Sequence, residues 1–160
     1  MTTKGNILVV DDEPVERQAL TEILRLEGYY VASVANGEAA IDHIRSNSVD
    51  VMILDLRMPG MNGLDVVKVV RRIAPDIEIV LLTAHGSMET AIDALRNRVH
   101  DYLLKPATPS QILDSLERGL ARRKSVTQER KRLLSTLDES RAVIALDDGV
   151  VIDFGRRVVQ

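Results

Sequence analysis

The chain has 160 residues, room for one domain and an appendage but not for two full-sized domains. Hydrophobic residues make up 45% and charged residues 28%, and there is no cysteine, which excludes disulfides and thiolate metal sites. Aromatics are only 2%, so the core must be aliphatic and no stacking surface for single-stranded nucleic acid is expected. The net charge of −3 is uneven: residues 1–109 carry 11 basic against 16 acidic side chains, and residues 110–160 carry 10 against 8. Such a split predicts different partners for the two parts. Apolar runs such as Ile7–Val10 and Val51–Leu54 are too short for a membrane span, and no secretory leader is expected at the start of the chain.

In chain order, Ile7–Val10 reads as a buried strand ending at Asp11 and Asp12. Pro14 then opens a helix whose face is Ala19, Leu20, Ile23 and Leu24, with Gly28 as its stop. Tyr30–Val34 alternates like a strand, and Asn36 caps a second helix facing inward through Ala40, Ile41 and Ile44. Val51–Leu54 is a third strand, ending at Asp55. A Gly/Pro-rich loop leads into a helix from about Leu64 to Ile73, stopped by Pro75. Ile77–Leu82 is the fourth strand, ending at Thr83, and Ser87 caps a helix to about Arg96. Tyr102–Leu104 is the fifth strand, ending at Lys105-Pro106. Thr108, Pro109 and Gln111 form a cap, an N1 proline and the N3 half of a capping box for a fifth helix with Ile112, Leu113, Leu116 and Leu120 inward.

Alternating strands and helices, with strands that are continuous apolar runs, predict an α/β fold: a doubly wound five-stranded parallel sheet covered on both faces. Ligands in such sheets bind beyond the carboxyl ends of the strands. Asp11, Asp12, Asp55, Thr83 and Lys105 all follow strand ends, so they are expected on one rim. Crowded carboxylates repel one another and favour a hard divalent cation, and a lysine and a hydroxyl beside them suit a phosphoryl group. No Walker A or G-x-G-x-x-G pattern is present. The economical chemistry is a carboxylate that itself takes the phosphoryl group.

V-V-D-D-E at 9–13, L-D-L-R-M-P-G-M-N-G at 54–63, L-T-A-H at 82–85 and D-Y-L-L-K-P at 101–106 resemble the receiver domain of two-component response regulators. The resemblance covers roughly residues 5–121, and it rests on four pieces in order, each at a strand end. It implies a flavodoxin-like strand order 2-1-3-4-5. Asp55 would be the phosphoacceptor for a sensor histidine kinase, and Mg²⁺ would sit on Asp11, Asp12, Asp55 and the Arg57 carbonyl. Thr83, Ala84 and Lys105 would hold the phosphoryl oxygens, with Asp55, Thr83 and Lys105 carrying the transfer. Thr83 and Tyr102 would form the conformational switch, and Lys105-Pro106 would be cis. A cytoplasmic signalling protein is implied that assists its own phosphorylation and dephosphorylation rather than acting as an enzyme. A homodimer is implied, with phosphorylation-dependent assembly one form of it. Transcription would be controlled through a DNA-binding domain outside this chain, with no membrane partner. The alternatives are a haloacid-dehalogenase-like phosphohydrolase with an aspartyl intermediate, and a stand-alone receiver acting by protein–protein interaction.

Taken singly, these residues have plainer readings. Asp11 and Asp12 suit helix caps, Met58-Pro59-Gly60 and Asn62-Gly63 suit turns, and Tyr102 suits a core. His43 and His100 read as surface residues without a zinc pattern. One departure from the family concerns Arg98-Val99, where Gly-Ala is usual; the helix end there lacks its easy left-handed residue, with Asn97 as a substitute. Beyond the domain of residues 1–121, residues 122–141 read as a helical extension to about Ser140, with Val126, Leu133 and Leu137 near heptad spacing after Ile112 and Leu116, and Gly119, Arg123 and Arg130 interrupting the seam. Residues 118–132 hold seven basic side chains and one acid, read as a solvated face in preference to a nucleic-acid contact. Residues 142–160 read as a β-hairpin tail: Ala142–Leu146 and Val150–Phe154 about a turn, then Val158-Val159. The stretch V-V-I-D-F-G-R-R-V-V at 150–159 resembles the sheet that opens the winged-helix domain of one response-regulator class, although Ala107 stands where that class places Phe.

Overall fold

The computed structural model describes the backbone over residues 4–147, 151–152 and 158–159, and side chains over 4–140. Five strands, β1 (Asn6–Val10), β2 (Tyr30–Val34), β3 (Val51–Leu54), β4 (Glu78–Thr83) and β5 (Asp101–Leu104), pair in parallel in the order β2-β1-β3-β4-β5. Between and after them run α1 (Pro14–Leu26), α2 (Gly37–Ser46), α3 (Gly63–Ile73), α4 (Met88–Arg96) and α5 (Pro109–Asp147). The sheet order switches direction at β1, whose two neighbours are β2 and β3, and that is where a doubly wound sheet opens a crevice at its carboxyl rim.

The strand alternation divides the core in two. Leu8, Val10, Met52, Leu54, Ile79 and Leu81 point to one face, where Ala40, Ile44, Val66, Val67, Val70 and Ala94 of α2, α3 and α4 cover them. Ile7, Val9, Val51, Ile53, Val80 and Leu82 point to the other, beneath Leu24 of α1 and Ile112 and Leu116 of α5. Burial on both faces is why the strands read as unbroken apolar runs. Among the described residues Tyr29 is the one buried aromatic, so the core there is aliphatic, as the composition requires. Truncating a fully buried residue such as Leu8 or Leu54 to alanine would cost about 2–5 kcal/mol.

Helix caps fall where short polar residues permit. The Asn36 side chain accepts from the Ala39 amide and Asn62 from Asp65, while Ser87 and Thr90 form a reciprocal box, as do Thr108 and Gln111. Each is worth about 1 kcal/mol. α1 is capped by Glu13, whose carboxylate accepts from the Val15 amide; Asp11 and Asp12 are not its cap. Gly28 ends α1 with φ +99°, a conformation that glycine reaches without steric cost.

The α4–β5 turn corrects one expectation. Asn97 is not the left-handed residue (φ −93°); Arg98 is, at φ 57°. What holds it is Arg71 of α3, which donates from Nε to the Asn97 carbonyl at 2.9 Å and from Nη2 to the Arg98 carbonyl at 2.9 Å. Its Nη1 reaches the Ile77 carbonyl at 2.6 Å and the Pro75 carbonyl at 3.2 Å. One guanidinium fork therefore ties the ends of α3 and α4 to the entry of β4. His100 likewise departs from the surface reading: its side chain is 8% exposed, Nε2 lies 3.1 Å from the Ser115 carbonyl, and Nδ1 lies 3.8 Å from Glu78.

The chain divides into two units, Met1–Arg123 and Lys124–Gln160. In the first, Arg123 donates from Nε to Asp50 at 3.0 Å and from Nη1 to the Asp76 carbonyl, and Asp50 also accepts from the Asn6 amide. The arginine that interrupts the heptad seam thus fastens α5 to the amino-terminal end of the sheet, just before β3 and β4. In the second unit α5 continues to Asp147, with Val126, Leu133, Leu134 and Leu137 about half exposed. Ala142–Leu146, expected as a strand, are helical; a short apolar run does not distinguish the two, and extending an existing helix costs little. The antiparallel pair is instead β6 (Val151–Ile152) with β7 (Val158–Val159). The turn expected at Gly155-Arg156-Arg157 lies outside the described residues, as do residues 148–150. Among the described residues no helix is long and apolar enough to cross a membrane.

Candidate functional site

Parallel pairing brings the ends of β1, β3, β4 and β5 to the same rim. The Asp11 amide donates to the Val34 carbonyl, the Asp55 amide to the Val10 carbonyl and the Lys105 amide to the Thr83 carbonyl, so each residue continues the ladder just past its strand. Asp11, Asp12 and Asp55 each present a carboxylate oxygen, and these lie within 4.8 Å of one another. Local backbone bonds aim two of them: Asp11 Oδ1 accepts from the Glu13 amide at 2.9 Å and Asp55 Oδ1 from the Arg57 amide at 3.1 Å. Both leave Oδ2 for Lys105, whose Nζ donates to Asp55 at 3.1 Å and to Asp11 at 3.3 Å.

The loop after Asp55 is held by Gly63 at the start of α3. Its amide donates to the Leu56 carbonyl at 2.7 Å, and a Cβ there would meet the Asp55 carbonyl oxygen at 2.5 Å. Glycine is required by this close approach, so Asn62-Gly63 is more than a turn signal: it sets the distance between helix and carboxylate loop.

Burial drives the Asp11 pKa above its ordinary value, against the bond from Glu13 and the charge of Lys105. Burial also works to lower the Lys105 pKa, but hydrogen bonds to Glu16 and Asp55 and the Asp11 charge outweigh it and raise it well above the lysine norm. The lysine is therefore a fixed cation at neutral pH.

Glu16 was not singled out in the sequence. It lies in the first turn of α1, with Oε2 2.6 Å from Lys105 Nζ, the shortest of the three ion pairs on that lysine. Its sequence signal was weak, since an acid in a first helical turn is ordinary. Only the reach of Lys105 back from the end of β5 makes it part of the rim.

Thr83 is fully buried, with Oγ1 accepting from the His85 amide at 3.1 Å. Leu81, two residues earlier, pairs with Tyr102, so Thr83 and Tyr102 lie on the same face of the sheet. Tyr102 is half-buried against the α2–α4 core, and its hydroxyl lies 2.8 Å from Thr90 Oγ1 in the first turn of α4. Lys105-Pro106 is cis. Two clefts flank the rim. One, of about 490 Å³, runs past Arg57, Asn62, Ala84, His85 and Thr90. The other, of about 450 Å³, is mostly apolar and runs past Leu20, Ile23, Pro106 and Ile112, with Glu16 and Lys105 at its mouth. Asp11, Asp12, Asp55, Arg57, Thr83, Ala84 and Lys105 therefore stand at the carboxyl ends of the strands or in the loops that follow them, whereas Tyr102 lies within β5.

Fold and rim together define a flavodoxin-like α/β protein with three carboxylates and a lysine gathered at the carboxyl ends of its strands. A family model of the response regulator receiver domain matches residues 7–117, and the chain belongs to that family. It is 36% identical over 124 residues to the transcriptional regulatory protein ZraR of Escherichia coli, covering 78% of this chain and 28% of that protein. To the alginate biosynthesis transcriptional regulatory protein AlgB of Pseudomonas aeruginosa it is 37% identical over 138 residues, covering 86% and 30%. Among solved structures it is similar to the response regulator TrrA of Thermotoga maritima in complex with Mg²⁺ and BeF, at 34% identity and a TM-score of 0.67, covering 72% of this chain and 99% of that one. The chain spans less than a third of the length of the two curated regulators.

Proposed function

We propose that Asp55 is the phosphoacceptor of a two-component signalling switch. The observation that carries the reading is the convergence of Lys105 Nζ on Asp55 Oδ2 at 3.1 Å within a cluster of three carboxylates. In the transfer, an Asp55 oxygen attacks phosphorus and the P–N bond to the kinase histidine breaks. The imidazole nitrogen leaves with the electron pair, and an acyl phosphate remains on Asp55. Such a step needs positioning and charge neutralisation rather than acid–base work.

The residues fit a magnesium ion. The donors are hard oxygens, and Asp11, whose ionised form burial disfavours, gains most from a dication. Asp11, Asp12, Asp55 and the Arg57 carbonyl would hold it. When bound, magnesium neutralises charge on the carboxylates and on the phosphoryl oxygens. Lys105 supplies a further positive charge beside Asp55 and Asp11. Thr83 and the Ala84 amide take phosphoryl oxygens, and turning Thr83 toward them frees space for Tyr102, which is tied to α4 through Thr90. Phosphorylation thereby shifts the population between two packings of β4, α4 and β5.

Receiver domains of this family are phosphoacceptors rather than enzymes acting on an external substrate; self-assisted dephosphorylation of Asp55 belongs to this proposal. So do a sensor histidine kinase as donor, a cytoplasmic location, homodimerisation, and transcriptional output through a domain beyond the receiver, as the names of ZraR and AlgB suggest by likeness. The receiver (residues 1–121), the helical extension and the terminal strand pair are proposed as input, connector and start of the output portion. With Mg²⁺ and acetyl phosphate, intact mass is expected to show one phosphoryl adduct, lost in Asp55→Asn and on removal of the metal with a chelator. An adduct of equal yield in Asp55→Asn would overturn the assignment.

A further inference from the structure

Lys105 has three N–H donors, and three carboxylates draw on them. Asp55 and Asp11 are the partners its place at the end of β5 predicts, with side chains 13% and 10% exposed. Glu16 is different in kind. It reaches across from α1, its side chain is 54% exposed, and at 2.6 Å it is the closest of the three to the ammonium. A phosphoryl group arriving at Asp55 brings oxygens that need the same N–H donors. It also brings negative charge beside the Glu16 carboxylate, which has no charge partner among the described residues nearer than Lys105.

We propose that Glu16 is a positioning residue that draws Lys105 toward solvent and so weakens the hold of the site on a phosphoryl group. The inference rests on Asp55 as the phosphoacceptor. Glu16 forms no bond to phosphorus and exchanges no proton; the transfer is the one described above. It acts by competing for one cation and by repelling an anion, and both effects have the same sign. The size is set by exposure, since an ion pair with one half-exposed partner is worth little in water. Losing the competitor should therefore tighten phosphoryl-group binding by about two- to fivefold rather than by orders of magnitude.

The test compares Glu16→Gln with Glu22→Gln, which removes the same charge from an exposed position on the same helix, where the carboxylate accepts a hydrogen bond from Gln18. Beryllofluoride binding in Mg²⁺ would be titrated by fluorine NMR, and phosphorylation rates followed against acetyl phosphate concentration. Glu16→Gln should bind beryllofluoride about two- to fivefold more tightly and reach half-saturation at proportionally less donor, with the maximal rate changed less. Glu22→Gln should superimpose on the parent chain. Equal or weaker binding in Glu16→Gln, or an equal gain in Glu22→Gln, overturns the inference. A parent chain that binds no beryllofluoride at all overturns the Asp55 reading instead, so the two failures are distinguishable.

Discussion

Asp101, at the opposite end of β5 from Lys105, shows how one carboxylate makes stability depend on pH. Burial opposes its ionisation, but Ser115 Oγ donates to it at 2.7 Å, the Tyr102 amide at 2.9 Å and Arg118 Nη2 at 3.2 Å. The donors win, and the pKa falls below the ordinary 3.8. A depressed carboxylate pKa contributes stability that is present above the unfolded value and lost as pH falls through the folded one. Asp101→Asn should therefore be less stable than the parent at neutral pH, with the difference narrowing below about pH 4 in denaturant titrations. A gap that stays constant to low pH would contradict this. At this scale the rim residues were legible because each directly follows an apolar run, which fixes its place in a parallel sheet. Glu16 and Asp101 were not: what they do depends on Lys105 and on Ser115, at sequence separations that no periodicity reports.

The α4–β5 turn is where an element depends on a residue from elsewhere. Arg98 adopts the left-handed region, which costs a non-glycine residue about 1 kcal/mol or more. Arg71 donates to two carbonyls of the turn, Asn97 and Arg98, and to two between α3 and β4, Pro75 and Ile77. Arg71→Ala should cost about 2 kcal/mol in equilibrium unfolding and raise amide exchange over residues 97–100, because the freed carbonyls must find water. Arg98→Gly should move the other way, by about 0.5–1 kcal/mol, since glycine removes the Cβ conflict but carries more unfolded-state entropy. If both variants destabilise equally, the turn is not strained as described. Helices α1 to α4 and all five strands were readable from period and punctuation to within a residue or two. The helix at Ala142–Leu146 was not, since V-I-A-L satisfies either period, and its continuity with α5 decided the outcome. Arg123, read as a break in a heptad seam, is instead bonded to Asp50 and Asp76, a use visible only once α5 is packed on the sheet.

For the whole molecule, sheet order is what turns scattered motifs into a site. With β3 at the centre and β1 and β4 on either side of it, residues 55, 11 and 83 come to one rim, and β5 at the edge brings Lys105 back over them. The receiver-like unit carries the acidic excess, and the α5 extension carries the basic run, both as the charge count anticipated. The central claim is that Asp55 alone is the acceptor on this rim, although Asp11, Asp12 and Glu16 stand nearby. It is tested most directly by treating the chain with Mg²⁺ and acetyl phosphate and trapping the acyl phosphate with hydroxylamine. Peptide mass spectrometry then locates the resulting hydroxamate. The label is expected at Asp55, with none at Asp11, Asp12 or Glu16 and none without Mg²⁺. Label at one of those three carboxylates, or no label in the presence of Mg²⁺, would contradict it.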